Sequence, residues 1–183
     1  MEWTVERDYA REALPKRDPE GHKGTFGEVL ALAGSVGYTG AAWLAAEGAV
    51  RGGCGLVHLG VPEDIWPVEA VKCTSAMPFP LAAEDGGLSL RALEGIREKL
   101  ARCDVLALGP GLGRRAETAE LIRRLLSETE KPAVLDADGI NALAGHIDIL
   151  DGRRGRVTVL TPHEGEFARI GDLSGGRARA ARD

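Results

Sequence analysis

Apolar positions along the chain follow two patterns, short unbroken runs and longer stripes at helical spacing. The runs Val29-Leu30-Ala31-Leu32-Ala33, Leu56-Val57-His58-Leu59, Asp104-Val105-Leu106-Ala107-Leu108, Ala133-Val134-Leu135 and Val157-Thr158-Val159-Leu160 predict buried strands. Between the first two lies a helix of small residues, Ala41, Ala42, Ala45, Ala46, Gly48 and Ala49, stopped by Gly52-Gly53-Cys54-Gly55. Leu90, Leu93, Ile96 and Leu100 form one stripe over residues 90–100, with Ser89 as its N-cap. Ala119, Ile122, Leu125 and Leu126 form another over 116–128, and a short helix is predicted through Ile65, Val68 and Val71. The stretch CTSAMPFPL at 73–81 holds at most a short strand, demoted by its prolines. Glu84-Asp85-Gly86-Gly87 reads as a turn. Residues 1–21, broken by Leu14-Pro15 and Pro19-Glu20-Gly21, read as a leader draped over the domain.

Strand, helix and strand over residues 22–60 make a βαβ unit, and the alternation continues to residue 160. The fold class is α/β, one domain over 1–183, with a mainly parallel sheet and helices on both faces. Ligands in such folds bind at the carboxyl ends of the strands. Four unusual loops, 34–40, 109–113, 136–141 and 161–167, each follow a predicted strand, so a parallel sheet brings them to one edge.

The net charge of −5 argues against a dedicated nucleic-acid binder. Arginines cluster at Arg153, Arg154 and Arg156 and at Arg177, Arg179 and Arg182, and read as solvated surface. Cys54, Cys73 and Cys103 have no CxxC spacing and read as free thiols in a reducing cytosol. The first residues lack a signal-peptide pattern, and no apolar run has the length of a membrane span. A cytoplasmic protein without membrane or nucleic-acid partners is expected.

The loops carry the candidate chemistry. Gly34-Ser35-Val36-Gly37-Tyr38-Thr39-Gly40 points backbone N–H groups at a helix N-terminus, which favours anions, or simply makes a tight turn. It matches neither the P-loop nor the G-x-G-x-x-G spacing. Gly109-Pro110-Gly111-Leu112-Gly113 forms either an anion nest or a plain strand-to-helix turn. Asp136 and Asp138 end a strand, where two carboxylates can hold Mg²⁺ or accept a proton; for Asp138 a helix N-cap is the alternative. Asn141 either bonds a ligand or satisfies its turn. Pro162 favours extended backbone at Thr161, exposing His163 to a ligand hydroxyl or phosphate. Glu166 serves the site or starts a helix. His22, His58 and His146 add no zinc set to His163, so no zinc site is expected from the spacing.

Taken together, the motifs resemble one family. His22-Lys23-Gly24, Phe26-Gly27, Ala33-Gly34-Ser35, Tyr38-Thr39-Gly40-Ala41-Ala42 and Gly53-Cys54-Gly55-Leu56-Val57 are similar to the opening of the ATP- or ADP-dependent NAD(P)H-hydrate dehydratases. Leu108 through Gly113, Val134 through Leu143 and Leu160 through Arg169 resemble its later signatures in the same order. Gly139-Ile140 replaces a usual Ala-Leu, and Glu164 a common Pro. The resemblance implies a ribokinase-like fold and repair of hydrated NADH and NADPH. ATP or ADP phosphorylates the ring hydroxyl of the S-epimer, phosphate leaves and the dihydropyridine is restored. It further implies Mg²⁺ and a homo-oligomer, a tetramer or larger.

By the same resemblance Ala41 or Ala42, Gly111, Gly113 and His163 contact the hydrated cofactor, and Asp136, Asn141 and Glu166 shape the pocket. The family's ADP site uses a Lys-Gly segment on a later strand and a Gly-Ser-Gly-Asp motif, whose Asp is the base. Neither follows the fourth signature here. The tail Ser174-Gly175-Gly176 to Asp183 reads as a helix cut off early, with an exposed sheet edge. The alternative is a non-catalytic remnant that binds a dinucleotide or a partner subunit. A ribokinase-like sugar or vitamin kinase shares the fold but accounts less well for 22–60 and 161–169.

Overall fold

Small apolar residues on alternate strand positions divide the core in two. The structure, a computed structural model, describes residues 4–174. Strands β1 (Glu28–Leu32), β2 (Leu56–Pro62), β3 (Met77–Leu81), β6 (Val105–Leu108), β7 (Ala133–Leu135) and β8 (Thr158–Leu160) form one parallel sheet in the order β3-β2-β1-β6-β7-β8. A hairpin of β4 (Ala83–Glu84) and β5 (Gly87–Leu88) stands apart, its turn made by Asp85 and Gly86 at positive φ.

On one face Ala31, Ala33, Val57, Leu59 and Val61 meet Ala42 and Ala46 of helix α2 (Thr39–Arg51). The alanines, four apart, let the helix backbone lie close to the sheet. On the other face Leu30, Leu32, Leu106, Leu108 and Leu135 pack against α4 (Leu93–Leu100) and α5 (Ala116–Glu128). Leu121, Ile122, Leu125 and Leu126 of α5 are almost completely buried, worth roughly 2 kcal/mol each. The predicted helix over 90–100 starts as a 3-10 turn, Leu90–Ala92. Ser89 holds the N-cap position, but its side chain makes no capping bond: its hydroxyl donates to the Ala82 carbonyl at 3.4 Å, and Glu117 of α5 accepts the Leu90 N–H at 2.8 Å instead.

One expectation holds and two change. Residues 77–81 form the short strand, and its prolines fit because β3 is at the sheet's edge. Pro78 and Pro80 alternate with Met77, Phe79 and Leu81, so the missing N–H groups fall on the side without a neighbouring strand. Helix α3 (Trp66–Lys72) turns Glu69 inward, fully buried, while Val71 is 84% exposed. Lys72 Nζ donates to Glu69 at 3.2 Å and to Thr39 at 2.8 Å, which ties α3 to the start of α2. Arg153 is not solvated surface. It is 2% exposed and donates to the carbonyls of Leu126, Thr129 and Lys131 and to Thr158 Oγ1.

Helix α1 (Arg7–Ala13), in the predicted leader, has no buried residue. Arg17, just beyond it, stacks on Phe26 and donates to the Gly53 carbonyl at 2.7 Å. Strand β8 is an edge among the described residues, with Val159 exposed. Arg177, Arg179, Arg182 and the tail from Gly175 lie outside the described residues. No helix of the described residues is long and apolar enough to cross a membrane.

Candidate functional site

The strand order reverses between β1 and β6. The chain runs outward from β1 to β2 and β3, then returns to β6 on the other side and continues to β7 and β8. Loops leaving β1 and β6 therefore diverge, and a crevice forms at the carboxyl edge between them. Hydrogen bonds stitch its floor. Gly34 N–H donates to the Pro110 carbonyl at 2.8 Å, and the buried Ser35 hydroxyl to the Gly111 carbonyl at 2.7 Å. The hairpin closes one side, where the Gly86 carbonyl accepts the Val36 N–H.

Two glycines make this approach feasible. Gly109, at φ +129°, lies against the Asp136 carbonyl, which any Cβ would overlap. Gly111, at φ +66°, faces the start of α2: a Cβ there would sit 2.8 Å from that of Ala41 and 2.9 Å from that of Tyr38. Gly111 and Ala41 are thus neighbours across the crevice. Of the two predicted alternatives, Ala42 is fully buried on the sheet side of α2, whereas Ala41 is partly exposed beside Gly111.

Asp138 joins the loops. Its Oδ2 accepts the Gly113 N–H at 2.9 Å, and its Oδ1 accepts the Asn141 side-chain amide at 3.0 Å, with Arg114 Nε at 3.6 Å. It is not the N-cap of α6 (Asp138–Asn141); Ala137 holds that position at φ +49°, a strained value for alanine. Asp136 takes a different partner, its Oδ1 accepting the Thr161 hydroxyl at 2.8 Å. Asn141 Oδ1 accepts from Arg169 at 2.9 Å. Gly113, Arg114, Asp138, Asn141, Ala142 and Arg169 line an open cleft of about 140 Å³. Ligand pockets of drug-sized molecules span roughly 300–1,000 Å³, so this cleft is a subsite for part of a ligand. Two guanidiniums at its rim favour an anionic portion.

The nest reading of residues 109–113 does not survive intact, because the Leu112 and Gly113 N–H groups are taken by Gly109 and Asp138. His163 is held rigidly beside α7 (Glu164–Phe167). Its Nδ1 accepts the N–H groups of Gly165 and Glu166. The ring proton is then on Nε2, 3.1 Å from Glu166 Oε1, while Glu166 Oε2 accepts the His163 N–H. Buried Glu166 both starts the helix and orients the histidine, whose side chain stays 69% exposed. His22 caps a 3-10 turn (Lys23–Phe26) before β1, at the opposite edge of the sheet, and is not part of the cleft.

Spacing did not single out Ser35, Thr161, Arg114 or Arg169. Their partners are 76, 25, 24 and 28 residues away. The usable signal was the position of each just after a strand or its loop.

The sequence model of the NAD(P)H-hydrate dehydratases matches residues 29–183. The bifunctional NAD(P)H-hydrate repair enzyme Nnr of Moorella thermoacetica is 47% identical over 163 residues, 88% of this chain and 31% of that protein. The chain thus spans about a third of the length of the curated relatives it matches. The ADP/ATP-dependent NAD(P)H-hydrate dehydratase of Bacillus subtilis, co-crystallized with ATP/Mg²⁺, aligns with a TM-score of 0.65 at 31% identity, covering 96% of this chain and 57% of that one. A ribokinase-like superfamily protein of Enterococcus faecalis aligns with a TM-score of 0.72 at 21% identity over 91% of this chain and 55% of its own, a likeness of fold. With residues 29–183 matched and a ribokinase-like arrangement of sheet and helices, the chain belongs to the NAD(P)H-hydrate dehydratase family.

Proposed function

We propose that this chain holds hydrated NADH or NADPH for dehydration driven by ADP or ATP. The observation that carries the reading is the crevice at the β1–β6 reversal, where Ala41 meets Gly111 and Gly113 opens onto the Asp138–Asn141–Arg169 cleft. The co-substrate supplies the phosphoryl group that turns the ring hydroxyl into a leaving group.

This chain's residues bind and orient. Gly111, lacking a Cβ, lets the β6 loop pack directly on Ala41, which sets one wall of the ligand site. Arg114 and Arg169 attract the ligand's phosphates. His163 presents its exposed ring at a fixed angle set by Glu166, and Asp136 and Asn141 hold the loops that shape the pocket. Mg²⁺ finds no ready cage here. Asp136 and Asp138 bind different partners, and among the described residues no trio of His, Cys, Asp or Glu gathers at this edge.

A cytoplasmic setting suits a soluble coenzyme substrate and three free thiols. Exposed Leu44, Val68, Val71 and Met77 supply apolar surface for assembly into a tetramer or larger. Calorimetric titration of the chain with the S-epimer of hydrated NADH tests the reading. His163→Ala is expected to weaken binding about tenfold. Unchanged affinity removes His163 from the site, and no binding by the unmodified chain overturns the proposal.

A further inference from the structure

Three side chains unrelated to the cleft converge at the opposite edge of the sheet. Glu28 opens β1, His58 lies in β2, and Cys103 sits two residues before β6. Strand β1 runs between the other two, and the parallel register places His58 beside Leu30 and Val105 beside Val29. Glu28 and His58 are on the leucine-lined face with Cys103, which is fully buried in that core. Glu28 Oε2 is 3.3 Å from His58 Nε2, and the carboxylate oxygen, ring nitrogen and thiol sulfur all lie within 4.8 Å of one another. Among the described residues this is the one such trio.

The donors and their spacing suit a particular ion class. Nitrogen and oxygen ligands about 2.0–2.1 Å from a tetrahedral zinc ion are separated by roughly 3.4 Å, close to the Glu28–His58 distance. Thiolate sulfur binds slightly further out, at about 2.3 Å, which calls for roughly 3.6 Å between it and the other two donors. From a spread of up to 4.8 Å, the Cys103 side chain therefore has to close in by as much as about 1 Å on binding. A carboxylate, a thiolate and a neutral imidazole also cancel the charge of a divalent ion, which a half-buried position requires. His58 is 15% and Glu28 27% exposed, leaving an approach and a place for water. Asp104 Oδ2 is committed elsewhere, accepting the Glu28 N–H at 2.8 Å. The Cys103 thiol donates to the Lys99 carbonyl at 3.4 Å, a bond from a weak donor that coordination of the ion would replace.

We propose that Glu28, His58 and Cys103 bind a zinc-class divalent ion with water as the fourth ligand, clamping the amino-terminal ends of β2, β1 and β6. On binding, the thiol proton passes to solvent and the sulfur coordinates as thiolate. Because the trio is at the edge away from the crevice, the ion would act on stability and not on the dehydration chemistry.

The test is a Co²⁺ titration of the chelator-treated chain. One ion per chain should bind, with visible tetrahedral d–d bands and a near-ultraviolet thiolate charge-transfer band, and Zn²⁺ should displace it. Cys103→Ser should abolish the charge-transfer band. Glu28→Gln and His58→Gln, at partly exposed positions, should keep the fold and weaken Co²⁺ binding roughly tenfold or more; they carry the test should Cys103→Ser fail to fold. Absence of a thiolate band overturns the proposal. So does a band that persists in Cys103→Ser, which would point to Cys54 or Cys73, or Co²⁺ affinity unchanged in both Gln variants.

Discussion

At the scale of single residues the crevice is set by atoms that are absent. Gly111→Ala would introduce a Cβ 2.8 Å from Ala41 Cβ, at a backbone angle that alanine avoids. Overpacking and the left-handed conformation together should cost about 2–3 kcal/mol. The methyl group would also push the β6 loop away from α2 and reshape the crevice, so affinity for hydrated NADH should fall with stability. Chemical denaturation and calorimetry on one sample separate the two effects; a variant of unchanged stability and affinity would show that this close approach serves neither. The Gly109-Pro110-Gly111-Leu112-Gly113 string was legible as a turn with chemistry at hand. That its amides face inward was not, because the acceptor of the Gly113 N–H is a carboxylate 25 residues away.

Elements show where periodicity succeeds and where it misleads. The stripes of α4 and α5 predict their buried faces because a helix against a flat leucine surface must turn one side inward. Helix α3 defeats the same logic: in its seven residues the valines are exposed and Glu69 is buried, bonded by Lys72, which also bonds Thr39 of α2. Arg153 is the sharper case. A run with three arginines looks like surface, yet burial and nearby Arg156 lower this guanidinium's pKa from its ordinary value, and it nevertheless collects carbonyls at and beyond the end of α5. Arg153→Met would leave buried acceptors without donors, each costing about 1–3 kcal/mol, for a total near 3 kcal/mol or more. Urea unfolding measures this; a loss under about 1 kcal/mol would mean that water replaces the guanidinium.

For the whole molecule, the described residues bring Gly113, Asp138, Asn141 and Arg169 to one cleft, where the proposed reading places part of the hydrated coenzyme. The Gly-Ser-Gly-Asp motif and later-strand Lys-Gly segment expected for the nucleotide do not follow the fourth signature in these 183 residues. The chain by itself is therefore expected to bind hydrated NADH without restoring it when ADP or ATP is added. Absorbance of the regenerated dihydropyridine follows this directly, and clear turnover would show that a base within residues 1–183 suffices.

The sequence by itself determined the class of fold, because alternating buried runs and amphipathic stripes permit little besides a parallel sheet covered on both faces. It also determined the family, since ordered motifs spread over 22–170 constrain one another far more than any single glycine loop does. Tertiary structure alone decided which of those motif residues touch. The strand order β3-β2-β1-β6-β7-β8 opened the crevice, set Asp138 against Gly113 and Asp136 against Thr161, and gathered Glu28, His58 and Cys103 at the far edge. Such contacts join positions tens of residues apart through strand register, and local spacing carries no record of which strands become neighbours.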